Sequence, residues 1–398
     1  MTHALKQREP DVKIGAAPGP LRVTSVDVLR GFVMFLMLFV NDVAGVEGAP
    51  KWMQHFHGKD GMTFVDLVFP AFLFIVGMSI PLALRARTAR GEGRAKLTLH
   101  ALLRVATLLV LGLFMVNMEQ RDHATWRAGL FPTLVYAVAI LACVRWPRMN
   151  LVLRGIGALG LAALAWAYHP AKGGWEHSWW GILGLIGWAY LVGFMVYLIT
   201  GDRPAVLAGA VALLYALFMA DRGGLFDDWA LADFVSIGEA LGTHTAITVG
   251  GILLTVIVQQ QGTTARQRLL TALALGGAFA LAAILLRRPW GINKNNATPA
   301  WGLWASAVTC WLWALFHVIN DVRGWTLGWG FMRDLGRNAL LAYLIAPLFA
   351  SLLELTGINA YGDLGDKTVV GIIRSLALAT VIMVIAALLY RRGVRTQI

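Results

Sequence analysis

Asp66-Leu-Val-Phe-Pro70-Ala-Phe-Leu-Phe-Ile-Val-Gly77-Met-Ser-Ile-Pro81 carries one ionisable side chain, at its head, and none after it. The run does not alternate polar with apolar, so it is not a barrel strand. With its apolar flanks it reaches the roughly 20 residues that a helix needs to cross a bilayer. Similar runs recur along the chain, near 26–46, 62–84, 98–118, 128–144, 151–168, 180–200, 204–220, 243–260, 266–286, 300–319, 335–353 and 369–390. Twelve is the preferred count within a range of 10 to 12. The sequence therefore predicts an all-α, polytopic membrane helix bundle.

Composition agrees. The chain has 398 residues, 58% hydrophobic and 14% charged, with a mean hydropathy of +0.65, against about 25% charged in a soluble chain. A dozen spans consume this length and leave no room for a second, water-soluble domain. Residues 22–398 read as one transmembrane domain. Residues 1–21 read as a disordered cytoplasmic tail without the short apolar core of a cleavable signal. Cys143 and Cys310 fall inside apolar runs and predict no disulfide.

The net charge of +12 does not point to nucleic acid, because the basic residues flank apolar runs and form no separate basic domain. If the spans alternate, one side collects Arg85, Arg87, Arg90, Arg94, Arg145, Arg203, Arg266, Arg323, Arg391 and Arg395. The other collects Glu47, Asp60, Asp122, Asp227, Asp233 and Asp363. The positive-inside rule makes the first side cytoplasmic and puts both termini there. Tryptophans near span ends, among them Trp52, Trp179, Trp290 and Trp325, fit an interfacial belt. Gly- and Trp-rich helices permit a homodimer.

Polar groups are expensive inside a bilayer, so function is sought where they concentrate. That is the first two spans. Asp27 and Arg30, three apart, share a helix face and can pair. Arg30 either anchors the helix at the interface or faces a vestibule and meets an anion, to which guanidinium is suited. Asn41 sits roughly 15 Å farther along the helix. It either binds a neighbouring helix or serves a site shared with Asp66 and the loop histidines His55 and His57. Pro70 removes the hydrogen bond to the Asp66 carbonyl. Histidine, amide and carboxylate together suit acyl transfer: a lone pair, an oxyanion or ring partner, and a group that fixes the tautomer. The remaining histidines, including His100, His123, His169, His177, His244 and His317, lack ligand spacing, so no metal is expected. No Gly-rich phosphate loop or serine elbow is present.

Arg22-Val-Thr-Ser-Val-Asp-Val-Leu-Arg-Gly31, Phe39-Val-Asn41, the histidine-bearing loop and Asp60-Gly-Met-Thr-Phe-Val-Asp66-Leu-Val-Phe-Pro70 resemble the start of the heparan-α-glucosaminide N-acetyltransferase family of transmembrane acyltransferases and its bacterial relatives. Gly291-Ile-Asn-Lys-Asn-Asn-Ala-Thr-Pro-Ala-Trp301 and Leu335-Gly-Arg-Asn-Ala-Leu-Leu-Ala-Tyr343 resemble later parts of the same family. The resemblance implies a multi-pass protein of the bacterial inner membrane that takes acetyl-CoA from the cytosol and passes its acetyl group to an amino sugar or other glycan on the far side. It places the transfer on His55, with His57 as the alternative, beside Asn41 and Asp66. On the same reading Arg30, Arg337 and Asn338 hold CoA, and Asn293 and Lys294 touch the acceptor. A secondary transporter for a sugar or related solute is the alternative, motivated by Pro- and Gly-interrupted helices, although no internal repeat is visible.

Overall fold

The computed structural model describes residues 24–119, 129–168, 175–176, 178–179, 181–325 and 328–396. The expected tail 1–21, with Asp122, His123, His169 and His177, lies outside the described residues.

Among the described residues every expected apolar segment is helical, although 335–353 is broken at Asn338 into two helices. The helices are α1 (Thr24–Val43), α2 (Val65–Thr88), α3 (Arg94–Glu119), α4 (Leu130–Cys143), α5 (Asn150–Ala167), α6 (Ile182–Thr200) and α7 (Pro204–Arg222). A short α8 (Ala230–Phe234) precedes α9 (Ile237–Val258), α10 (Ala265–Trp290) and α11 (Pro299–Val322). The chain closes with α12 (Gly330–Arg337), α13 (Ala339–Thr356), α14 (Ala360–Asp363) and α15 (Thr368–Arg391). Among the described residues, 10 helices are long and apolar enough to span a membrane. The other two expected spans are α1, which carries Asp27, Arg30 and Asp42, and α4, which is 14 residues long.

Helices α2 and α9 form the buried centre. Their backbones touch: a Cβ on Gly77 would lie 1.8 Å from the Thr248 carbonyl oxygen, and one on Gly251 would lie 1.9 Å from that of Phe74. Lipid offers no hydrophobic drive between helices, so close packing through small residues supplies the attraction. The same device seats α12 on α1, where a Cβ on Gly31 would strike Met332 and one on Gly336 would strike the Asp27 carbonyl. That contact delivers Arg337 to Asp27. In contrast, α5 buries only Gly157 and is otherwise exposed or half-buried and largely apolar, as suits a lipid-facing helix.

Helix ends assigned to one side by alternation do meet. Arg85 pairs with Asp202 at 2.7 Å. Val144–Arg145 forms a two-residue antiparallel ladder with Arg395–Thr396, and the Ser25 amide donates to Asp321 at 3.2 Å. At the opposite end Asp42 pairs with Arg374 at 3.1 Å and Asp60 with Arg287 at 3.1 Å.

Candidate active site

The loop between α1 and α2 carries His55 and is stapled to the turn between α10 and α11. Gly61 donates its amide to the Ile292 carbonyl at 2.8 Å, and Ile292 donates its own to Asp60 at 2.9 Å. That backbone bond first, then Arg287, holds the exposed Asp60 carboxyl below its ordinary pKa. Asn293 extends the bracket: its Nδ2 donates to the Gly58 carbonyl at 3.2 Å and its Oδ1 accepts from the Asn296 amide at 3.0 Å. Its amide is thus spent on the loop.

Held this way, His55 Nδ1 lies 2.7 Å from Asp66 Oδ1. Asp66 is 1% exposed and stands in the first turn of α2. Its Oδ2 accepts from the amides of Thr63, at 2.9 Å, and Phe56, at 3.1 Å. A carboxylate only accepts, so His55 carries its proton on Nδ1 and leaves Nε2 as the lone pair. Pro70 cannot donate to the Asp66 carbonyl, and the freed oxygen accepts from Trp301 Nε1 at 3.0 Å. The proline thus ties the dyad to α11. Lys294 completes the group, with Nζ 3.1 Å from Nδ1 and 3.3 Å from Nε2 of His55, beside the ring. Burial lowers the Lys294 pKa, and the nearby Asp66 charge opposes this in part.

Three cavities that all include Ile182 in their walls run through the bundle. A basic cavity of about 620 Å³ at the opposite end of the bundle is lined by Arg30, Arg90, Arg104, Arg337 and Arg395 against the single carboxylate of Asp27. A second, of about 990 Å³, is lined by His55, Asn41 and Asp42. It shares Ile182 and Tyr343 with the basic cavity. A third, of about 530 Å³, includes Lys294, Trp301 and Ile182 in its wall.

The expected residues fall into two groups. Asn41, His55, Asp66 and Lys294 gather at one end, although Asn41 is exposed and makes no hydrogen bond to His55. His57 is exposed and does not line the His55 cavity. Arg30 and Arg337 line the basic cavity and both engage Asp27, at 3.3 and 2.7 Å. Arg30 also donates to Ser79 Oγ at 2.6 Å. Burial works against the charge on Arg337, but the bond to Asp27 outweighs it and raises the pKa. Asn338 does not line that cavity. Its Nδ2 donates to the carbonyls of Ala386 and Val394, and its Oδ1 accepts from the Thr396 amide, so it pins the end of α15. Among the described residues no group of three or more His, Cys, Asp or Glu is arranged to hold a metal ion.

Sequence reading missed Arg90, Arg104 and Arg395 in the basic cavity, and the cluster at Asp42, which accepts from Tyr361, Arg374 and Ser375. A signal existed for two of them. Arg104 and Arg374 are lone guanidiniums within apolar runs, where a charge is costly enough to demand a purpose.

The bundle thus has an arginine-lined cavity at one end and a histidine–aspartate dyad at the other. Residues 23–391 match the acyltransferase domain family, and the chain belongs to it. Human heparan-alpha-glucosaminide N-acetyltransferase is 37% identical over 98 residues, and the mouse protein of the same name 36% over 96 residues. These stretches cover 25% and 24% of this chain and 14% of each relative. The chain thus belongs to the acyltransferase domain family and has multiple apolar helices, and it matches only a small part of the length of these relatives.

Proposed function

We propose that the protein is an inner-membrane enzyme that moves the acetyl group of cytosolic acetyl-CoA to an amino sugar or other glycan on the far side. The carrying observation is the His55–Asp66 dyad at 2.7 Å, at the end of a path of cavities that begins among five arginines. Guanidinium groups match the phosphates of CoA in charge and geometry. By the positive-inside rule their end of the bundle is cytoplasmic. The pantetheine arm then runs past Ile182 and Tyr343, the residues common to both cavities, and presents the thioester to His55.

Two routes use the same lone pair. In one, His55 Nε2 attacks the thioester carbon, the C–S bond breaks and CoA leaves with the electron pair. An acceptor amine then attacks the acyl carbon, loses a proton, and returns the C–N electron pair to Nε2. In the other, Nε2 takes the proton of the amine as the amine attacks the thioester carbon, the C–S bond breaks, the CoA sulfur leaves with the electron pair, and Nε2 hands that proton to the sulfur. In both, Asp66 holds the tautomer and stabilises the ring when it is positive. Lys294 stands where a developing oxyanion needs a positive group.

The test is transfer of labelled acetyl from acetyl-CoA to glucosamine by purified protein in nanodiscs. His55→Ala is expected to abolish transfer while His57→Ala leaves it within about twofold, since a solvated surface residue contributes little. Full activity in His55→Ala, or acetyl-CoA turnover that follows His57, overturns the assignment.

A further inference from the structure

The cavity that holds His55 is larger than an acetyl group needs. Its volume is about 990 Å³, at the upper end of the roughly 300–1,000 Å³ that takes a whole drug-sized molecule. The pantetheine arm does not have to fill it. The basic cavity itself extends from its arginines to Met37 and Phe72, which stand within two turns of Asn41 and Asp66 on α1 and α2. The arm therefore has its own way to the junction at Ile182 and Tyr343, and the transfer scheme leaves the space beyond that junction without an occupant.

Helix α13 builds this space. Tyr343, Ala346, Pro347, Ala350 and Leu353 line it, and their spacing of three and four puts them on one helix face. Two of them are alanines, where a larger side chain would enter the cavity. Leu38 of α1, Met115 and Val116 of α3 and Tyr136 of α4 complete a largely apolar wall. The carboxylate of Asp42 also lines the cavity, but it already accepts from Tyr361, Arg374 and Ser375. A sugar laid against α13 would leave hydroxyls unpaired, each at a cost. A hydrocarbon chain gains with every methylene it buries. From Tyr343 to Leu353 the stripe runs about 15 Å along the helix, enough for an extended chain of roughly eight carbons with bonds of about 1.5 Å.

We infer that the donor site takes acyl-CoA thioesters longer than acetyl-CoA, with the acyl chain lying along α13 against Ala346 and Ala350. The inference rests on the proposed donor path and widens its acyl class. Chemistry at the carbonyl is unchanged: the C–S bond breaks, the CoA sulfur leaves with the electron pair and receives the proton of the acceptor amine, and the acyl carbon bonds to the amine nitrogen. Since His55 lies in the same wall, a thioester placed there points its chain into the apolar space. Ala346 and Ala350 are then specificity-determining residues, because the room they leave sets how long a chain fits.

Binding without an acceptor reads this cavity alone. The full chain in nanodiscs is titrated calorimetrically with acetyl-CoA and hexanoyl-CoA, and empty nanodiscs serve as the blank for partition into lipid. Each buried methylene is worth about three- to fourfold in affinity, so hexanoyl-CoA is expected to bind about a hundredfold more tightly. Ala350→Phe, at an exposed position of α13, is expected to cut that preference about tenfold or more and to leave acetyl-CoA within about twofold, as overpacking acts only where atoms compete for space. Ala346→Phe is expected to do the same, and the melting temperature of each variant checks its fold. In transfer to glucosamine both variants lower kcat/KM for hexanoyl-CoA and spare acetyl-CoA. Equal affinity for the two thioesters, as when a membrane lipid tail fills the cavity, overturns the acyl pocket even if acetyl transfer is robust. So does a hexanoyl preference that neither folded variant changes, and so does the binding of neither thioester. A preference that the variants abolish, with no transfer of any acyl group, would instead sink the enzymatic reading and leave the pocket standing.

Discussion

Replacing Asp66 by Asn probes the dyad with the least change of shape. Two backbone amides, from Phe56 and Thr63, already occupy Oδ2. The new side chain satisfies them only by keeping its oxygen on that side, so its NH2 group turns to His55 Nδ1. An amide NH2 donates and cannot accept. The His55 proton must move from Nδ1 to Nε2, and the lone pair is lost from the ring nitrogen that the reaction needs. The equivalent exchange in a serine protease triad costs about 10⁴ in kcat. At 1.36 kcal/mol per decade that is about 5 kcal/mol of transition-state stabilisation. The fold loses less: the packing is unchanged and the two amide bonds become neutral ones, a cost of about 1–2 kcal/mol. Asp66→Asn should therefore remain folded by circular dichroism and lose 10³- to 10⁴-fold in acetyl transfer, an order-of-magnitude expectation from the same triad. The doubly substituted Asp66→Asn, His55→Ala protein should be no slower than His55→Ala alone, because the pair acts as a unit. A folded Asp66→Asn protein that keeps more than about a tenth of the rate refutes the tautomer argument.

Two further outcomes follow from charge. Arg104→Ala removes a guanidinium from the basic cavity without breaking an ion pair with Asp27; it should raise the KM for acetyl-CoA about tenfold or more, the worth of a charge-assisted bond. The effect should shrink as salt is raised. Lys294 gives a pH signature. Its pKa is lowered from the ordinary 10.5 by burial, so between the folded and unfolded values the unfolded chain binds more protons, and stability rises as pH rises. Lys294→Met should flatten the dependence of the melting temperature on pH in the alkaline range below 10.5; an unchanged slope would show that Lys294 is not its source.

The apolar runs by themselves determine the helical architecture, because a chain in hydrocarbon must satisfy its backbone within each helix and the cost is local to each segment. The stretch Asp60 to Gly77 likewise exposed Asp66 and Pro70 as unusual occupants of a span. Which groups meet was another matter. Lys294 lies 239 positions from His55, and nothing in either neighbourhood marks the other; their contact depends on Asp60 and Asn293 clamping one loop to a distant turn. The resemblance assigns Asn338 to CoA and Asn293 to the acceptor, yet tertiary packing spends their amides on backbone groups. Hydropathy and motif are properties of neighbouring residues, whereas a site is an agreement among side chains from separate helices, and only their packing fixes which polar atoms are used up and which stay open.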